Sequence, residues 1–339
     1  MKGFIAATEQ IAQRVLETEQ KRKNIAAIIR QNENIFTQIS EHDLGKLTVA
    51  GIDGGIIKKN LHGIDLLLLR TVGVIFYFEN GKLKKTEYFP EPIPSPVPEA
   101  FFDPFSDVEF EINANMKRQI AEVTTAQQVV EKFSPDILLM HGSIVPHYTS
   151  KAEGILLKTY EQMSEAYKKL FSLSEKTLIA GVVEDSRGKR FCDVISDKIQ
   201  LNSENQILLQ ATRDTNLLTY LLKFRERTFA FPYAEKNNFI LREFPEFSER
   251  ISTFYMRTAE YDRPIRIDFL GTEEEAQKIS SLILPLVKNS SYGIPSILIE
   301  ADQRAKLTDK DFQIFFSDLV NKVGRLPVVF ELRREDRPL

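Results

Sequence analysis

The chain has 339 residues, 42% hydrophobic and 27% charged, with a formal net charge of −3, which suits one large globular domain or two closely joined ones. The near-neutral charge argues neither for nor against nucleic acid, because a basic groove can sit inside a balanced total. The single cysteine, Cys192, excludes an intramolecular disulfide and a multi-cysteine zinc site, and it fits a reducing cytoplasm.

Residues 4–39 read as helix, with Phe4, Ile11, Val15, Ile25, Ile29 and Phe36 spaced for one face. The polar stretch from Glu17 to Asn24 interrupts that face and allows a break. This segment lacks the apolar block of a signal peptide, and it is either an oligomerisation or partner-binding element or a simple packed helix. Three strands follow, at about 47–53, 64–78 and 82–89, the last two joined through the turn Glu79-Asn80-Gly81. The apolar run over 64–78 is cut by Arg70 and is too β-branched and aromatic for a membrane span, so a soluble protein is expected.

Residues 89–105 hold six prolines and read as a loop or clamp, neither helix nor central strand. A helix over 113–133, a buried strand Ile137–Met140, a helix over 151–171 and a strand Thr177–Val183 come next. Further on, 205–224 reads as helix, 225–244 as strands around a turn, and 251–256 and 264–270 as strands. A helix over 272–284 has Thr272 as N-cap with Glu275 at the capping-box position, and a helix over 308–320 has Thr308 with Asp311. Residues 296–307 read as helix or extended chain. Three antiparallel strands followed by alternating helices and strands is the RNase H-like order, an α/β mixed sheet flanked by helices. The expected organisation is one domain over 1–339, with an N-terminal helical element (1–45), the first half of the core (46–200) and the rest of the core with C-terminal helices (201–339).

Asp53 closes an apolar strand and is followed by Gly54 and Gly55, which let backbone, metal or phosphate come close. A lone carboxylate is costly to bury. The segment therefore reads either as a metal-binding strand end or as a hairpin turn with a solvated Asp. No P-loop, GxGxxG, GxSxG or HExxH occurs, and four histidines make a multi-histidine zinc site a poor candidate. Carboxylates remain, and these suit Mg²⁺ or Mn²⁺ and phosphoryl chemistry. Glu122 lies on a helix with small neighbours Ala121 and Ala126, and is either an exposed helix carboxylate or a group brought against the sheet. His141 ends a strand before Gly142-Ser143, where ligand sites of α/β sheets tend to lie, or else has a structural hydrogen-bonding role. Asp302 is a ligand, an N-cap or a solvated residue. Arg187, Lys189 and Arg190 surround Gly188 in a turn that is either solvated or a phosphate contact. Phe101, Phe102 and Phe105 either stack on nucleobases or pin the proline-rich loop to the core.

In order, these pieces resemble the NurA nuclease family. The matching pieces are Gly51-Ile52-Asp53-Gly54-Gly55, the helix carrying Arg118 and Glu122, the strand ending in His141-Gly142-Ser143, residues 181–188, and residues 293–302. The resemblance implies an RNase H-like core, a homodimer, and DNA degradation with Mn²⁺ or Mg²⁺ beside a HerA-type hexameric translocase in the resection of double-strand breaks. It assigns Asp53 and Glu122 to the metal site. Where the family has Asp-Gly-Ser this chain has His141, and where it has Ala-His this chain has Ala301-Asp302. A tyrosine common before the proline of the last motif is Ile294 here, with Tyr292 nearby. The two exchanges are reciprocal, so a swapped set of Asp53, Glu122, His141 and Asp302 is expected to hold the metal, with Arg187, Lys189 and Arg190 on DNA. The rival expectation is a catalytically impaired adaptor that docks the ATPase and guides DNA.

Overall fold

A computed structural model describes residues 2–31, 35–102, 105–146, 154–235, 238–324 and 326–332. The chain divides into two compact units. One, here the β2 unit after its strand β2 (Lys46–Asn60), comprises Asp43–Gly181, Asn237–Ser248 and Ser296–Leu339; the other, here the α1 unit after its helix α1 (Lys2–Ile29), comprises Met1–His42, Val182–Lys236 and Glu249–Pro295.

The β2 unit is built on a meander of β2 (Lys46–Asn60), β3 (Asp65–Glu79) and β4 (Lys82–Phe89). Asn80 and Gly81 turn the chain between β3 and β4 with φ of 52° and 74°, values that suit Asn and Gly. After α2 (Asp107–Phe133), β6 (Ile137–His141) returns parallel to β2. After α3 (Leu157–Ser172) comes β7 (Leu178–Val183), giving the strand order β7-β6-β2-β3-β4. This is the RNase H-like arrangement expected from the element order. The proline-rich segment holds a short strand, β5 (Val97–Phe101), which pairs only with the first half of β3 and so occupies an edge, where missing N–H groups are tolerated.

Two features of the meander differ from the expected strands. First, β2 does not end at Asp53: it pairs with β3 without interruption from Lys46↔Glu79 to Asn60↔Asp65, which removes the hairpin reading of Asp53-Gly54-Gly55. Second, Arg70, which interrupts the apolar run, is buried as a tie. Its guanidinium donates to the carbonyls of Pro94 (2.7 Å) and Lys306 (2.8 Å) and to Asp311 (2.8 Å). Helix α2 starts earlier than its apolar pattern suggests, because Ser106 and Glu109 form a capping box. Phe101 and Phe105 lie 5.4 Å apart and pack with Phe110 and Leu67, so they pin the loop to the core, whereas Phe102 is exposed. Helices α8 (Ser296–Ala305) and α9 (Asp309–Val323) complete the unit, the latter with the expected Thr308–Asp311 capping box.

The α1 unit begins with α1 (Lys2–Ile29), which ends ten residues before the expected boundary and continues unbroken through Glu17–Asn24. Phe36, expected on that helix, starts the short strand β1 (Phe36–Gln38). The sheet order is β1-β8-β10-β11, with β8 (Glu226–Thr228), β10 (Ile251–Met256) and β11 (Ile265–Leu270), while β9 (Phe231–Pro232) pairs with β10. The expected helix over 205–224 is two helices, α5 (Ser203–Ala211) and α6 (Asp214–Leu221), and the turn at 184–189 leads into α4 (Arg190–Lys198). Helix α7 (Glu273–Ile283) carries the expected Thr272–Glu275 capping box. Ile25, Ala26 and Ile29 of α1 join the apolar cluster of α4, α5 and α6, whereas Phe4, Ile11 and Val15 are exposed. Among the described residues no helix is long and apolar enough to cross a membrane.

Candidate metal centre

Side chains alternate across β2, and its three glycines show which helix each face meets. A Cβ on Gly51 would lie 2.9 Å from the Ile297 side chain, and one on Gly55 only 2.2 Å from the Ala305 carbonyl oxygen. Helix α8 therefore rests directly on β2 backbone at both positions. Asp53 stands between them and points to the same face. Gly54 points the other way, where a Cβ would lie 2.8 Å from Glu122 Oε1 of α2. The glycines thus keep the strand extended and let helices touch it from both faces. They do not turn the chain.

The parallel register pairs Ile52 with Met140, so the next residues lie side by side: Asp53 in the middle of β2 and His141 at the end of β6. His141 Nδ1 is 2.9 Å from Asp53 Oδ2, and Asp53 Oδ1 accepts the Gly54 backbone N–H at 2.7 Å. Helix α8 brings Asp302 to the same point. Asp53, His141 and Asp302 each offer a ligand atom, and these atoms all lie within 4.8 Å of one another. Burial grades across the trio: Asp53 is buried, His141 half-buried and Asp302 exposed. The reciprocal exchange of Asp and His noted in the sequence therefore falls on two residues that face each other.

Glu122 stands outside that trio and approaches β2 from the opposite face. It is buried, and burial pushes its carboxyl up to about 7, with the Asp53 charge adding to the rise while Arg118 and His141 oppose it. Arg118 Nη1 donates to Glu122 Oε1 at 2.7 Å. A carboxyl poised near neutrality beside a carboxylate–imidazole trio is an arrangement typical of functional sites.

The donor set fits a divalent cation. Two carboxylates and one imidazole offer hard oxygen with one borderline nitrogen, which suits Mn²⁺ and leaves positions for water or phosphate oxygen. Asp53 is buried with Oδ2 facing His141, and a cation there would offset the cost of burying its charge.

The predicted phosphate contacts lie in the α1 unit and do not act alike. Lys189 is the N-cap residue of α4, and Arg190 lies 3.6 Å from Glu235. Arg187 lines a cavity of about 410 Å³ together with Arg213 and Arg263, two residues that sequence reasoning missed. No motif marks them, because their shared position arises only when the 184–189 turn, the start of α6 and the segment before β11 converge.

The NurA domain family matches residues 47–307. Solved structures with the same fold include the NurA nuclease of Sulfolobus solfataricus, 17% identical, covering 94% of this chain and 99% of that one at a TM-score of 0.58. A NurA solved with manganese is 13% identical, with 95% of this chain and 99% of that one covered at a TM-score of 0.58. A NurA bound to dAMP and manganese is likewise 13% identical, over 95% and 97% at a TM-score of 0.58. No curated protein sequence matches the chain.

Proposed function

The chain belongs to the NurA family, and on that premise we propose that it is a deoxyribonuclease that hydrolyses phosphodiester bonds with Mn²⁺ or Mg²⁺. One observation carries the activity: Asp53, His141 and Asp302 gather ligand atoms within 4.8 Å where β6 ends beside the middle of β2. Relatives solved with manganese, one of them also with dAMP, support the metal and nucleotide parts of the reading. Asp53, His141 and Asp302 would hold the ion, with Glu122 as the adjoining carboxyl of the site. When bound, the ion supplies Lewis-acid charge that lowers the pKa of an attacking water and stabilises the leaving oxygen.

The chain's own groups prepare that chemistry. The Gly54 N–H fixes the Asp53 carboxylate through Oδ1, leaving Oδ2 toward His141. Arg118 holds Glu122 against β2, and a carboxyl titrating near neutrality is suited to taking up a proton at working pH. Arg187, Lys189 and Arg190 would contact the DNA backbone, so binding would depend on phosphates and carry little sequence preference.

In the cell the protein would act in the cytoplasm as a homodimer, each chain forming one NurA-like domain, docked on a HerA-type hexameric ATPase to resect the ends of double-strand breaks. The test is cleavage of labelled DNA, RNA and hybrid strands in Mn²⁺, Mg²⁺ and EDTA, with and without the ATPase. Metal-dependent cutting of DNA is expected. A protein that binds the ATPase and DNA but cuts nothing in either metal would instead be the impaired adaptor.

A further inference from the structure

The 410 Å³ cavity of the α1 unit has a chemistry distinct from that of the metal centre. Its lining includes three guanidinium groups, from Arg187, Arg213 and Arg263, against one carboxylate, Asp185. The side-chain amide of Asn216 adds a neutral hydrogen-bonding group, whereas the Thr219 hydroxyl donates to the Thr215 carbonyl at 2.7 Å. Among the described lining residues none is aromatic, so the cavity offers no ring on which a base could stack.

Arg187 and Arg213 stand on a rigid footing, and all three arginines remain available. Ser186 Oγ lies 2.9 Å from the buried Tyr255 hydroxyl, and the Thr215 hydroxyl donates to the Ser186 carbonyl at 3.2 Å. The Asp214 N–H donates to the Gly188 carbonyl at 2.9 Å, and a Cβ on Gly188 would lie 3.1 Å from that tyrosine oxygen. The turn bearing Arg187 is therefore clamped on a buried scaffold. Arg213 donates through one nitrogen to the Arg187 carbonyl at 2.9 Å, which leaves other donors of its five. Arg263 pairs with Asp185 at 2.5 Å, but both side chains are more than half exposed, so water screens that pair and a phosphate can compete for it.

We propose that Arg187, Arg213 and Arg263 form a seat for the phosphodiester backbone of a nucleic-acid strand, read through phosphate alone. It rests on the reading above that the chain handles DNA, and it adds Arg213 and Arg263 to the DNA-contacting set. Guanidiniums match phosphate oxygens with paired donors, and the excess of cations over carboxylates favours a polyanion. Contacts to phosphate carry no sequence information, so the seat is indifferent to sequence.

The test is binding of a fluorescent single-stranded oligonucleotide by the full chain across a salt series, with EDTA present so that no strand is cut. Removing a phosphate contact lowers the slope of log affinity against log salt by about 0.7 on single strands. Arg213→Gln and Arg263→Gln should each lower it by about that amount and together by about 1.4, while Arg213→Lys should retain it. Asn216→Asp, which adds a carboxylate without removing an arginine, should weaken binding as well. An unchanged slope in the double variant, with a native circular dichroism spectrum, overturns the seat. So does a loss confined to thermal stabilisation by pyrophosphate, which would make the cavity a site for free anions. Failure of the unaltered chain to cut DNA in Mn²⁺ would overturn the nuclease reading and leave this binding result standing.

Discussion

Asp53 in the β2 unit and Asp214 in the α1 unit are both buried carboxylates, yet their surroundings send them to different tasks. Asp214 accepts the backbone N–H groups of Phe191 (3.1 Å) and Cys192 (2.9 Å) and the Tyr255 hydroxyl (2.9 Å). Burial raises its pKa, while those donors hold it down. Its oxygens are spent on donors that join α4, α6 and β10. Asp53 has one backbone donor, and its other oxygen faces an imidazole and a second carboxylate. A carboxylate surrounded by donors is structural, whereas one placed among other ligands calls for a cation. Burial alone does not separate the two.

Isosteric substitution should divide them most sharply. Asp53→Asn should lower DNA cleavage by about 10³-fold or more, because it removes several kcal/mol of metal-derived stabilisation, and it should leave the melting temperature nearly unchanged. Cleavage close to the unaltered rate would end the assignment of Asp53. Next in size is Gly55→Ala, whose Cβ has no room against the Ala305 carbonyl. Pushing α8 away should weaken Mn²⁺ binding about 10- to 100-fold, the range seen when ligand positioning is lost. Unaltered affinity would mean that Asp302 does not depend on this packing. Asp214→Asn should cost about 1–3 kcal/mol of stability in a denaturant melt, since an amide cannot accept all three donors, and it should not alter Mn²⁺ affinity in the folded protein.

The smallest expected effect concerns Glu122. Its folded pKa lies near 7, above the ordinary 4.5, so the folded protein binds the extra proton between those values. The stability this contributes is fully present below about pH 4.5 and is lost as pH rises through 7. In metal-free buffer Glu122→Gln should therefore raise the melting temperature at pH 8 by a few degrees and change little at pH 5. A melting temperature lowered at both pH values would show that the Arg118 contact outweighs the cost of burying the charge.

Much of the β2 unit was legible in the sequence because its strands are apolar runs bounded by turn residues, and its connections follow RNase H-like order. The Thr272 and Thr308 capping boxes were equally plain, since capping is a local signal. The strand through Asp53-Gly54-Gly55 was not, because those residues also spell a hairpin, and only the approach of Glu122 and Ala305 explains why they stay extended. The end of α1 was misplaced for a related reason: Phe36 continues the helical spacing but joins a strand pair with Thr228. His141 is marked by its place at a strand end before Gly142-Ser143, whereas Asp302 stands out only through its departure from a family pattern. That Glu122 reaches β2 from the other face could not be read from spacing, because it depends on which way each β2 residue points.

The central claim, that Asp53, His141 and Asp302 form one cation site despite the exchanged identities, is tested most directly by a crystal soaked in Mn²⁺ and measured for anomalous scattering. The account predicts a peak within about 2.5 Å of a ligand atom from each of the three side chains. A peak bound to Asp53 while His141 and Asp302 turn away, or no peak at a saturating Mn²⁺ concentration, would contradict it.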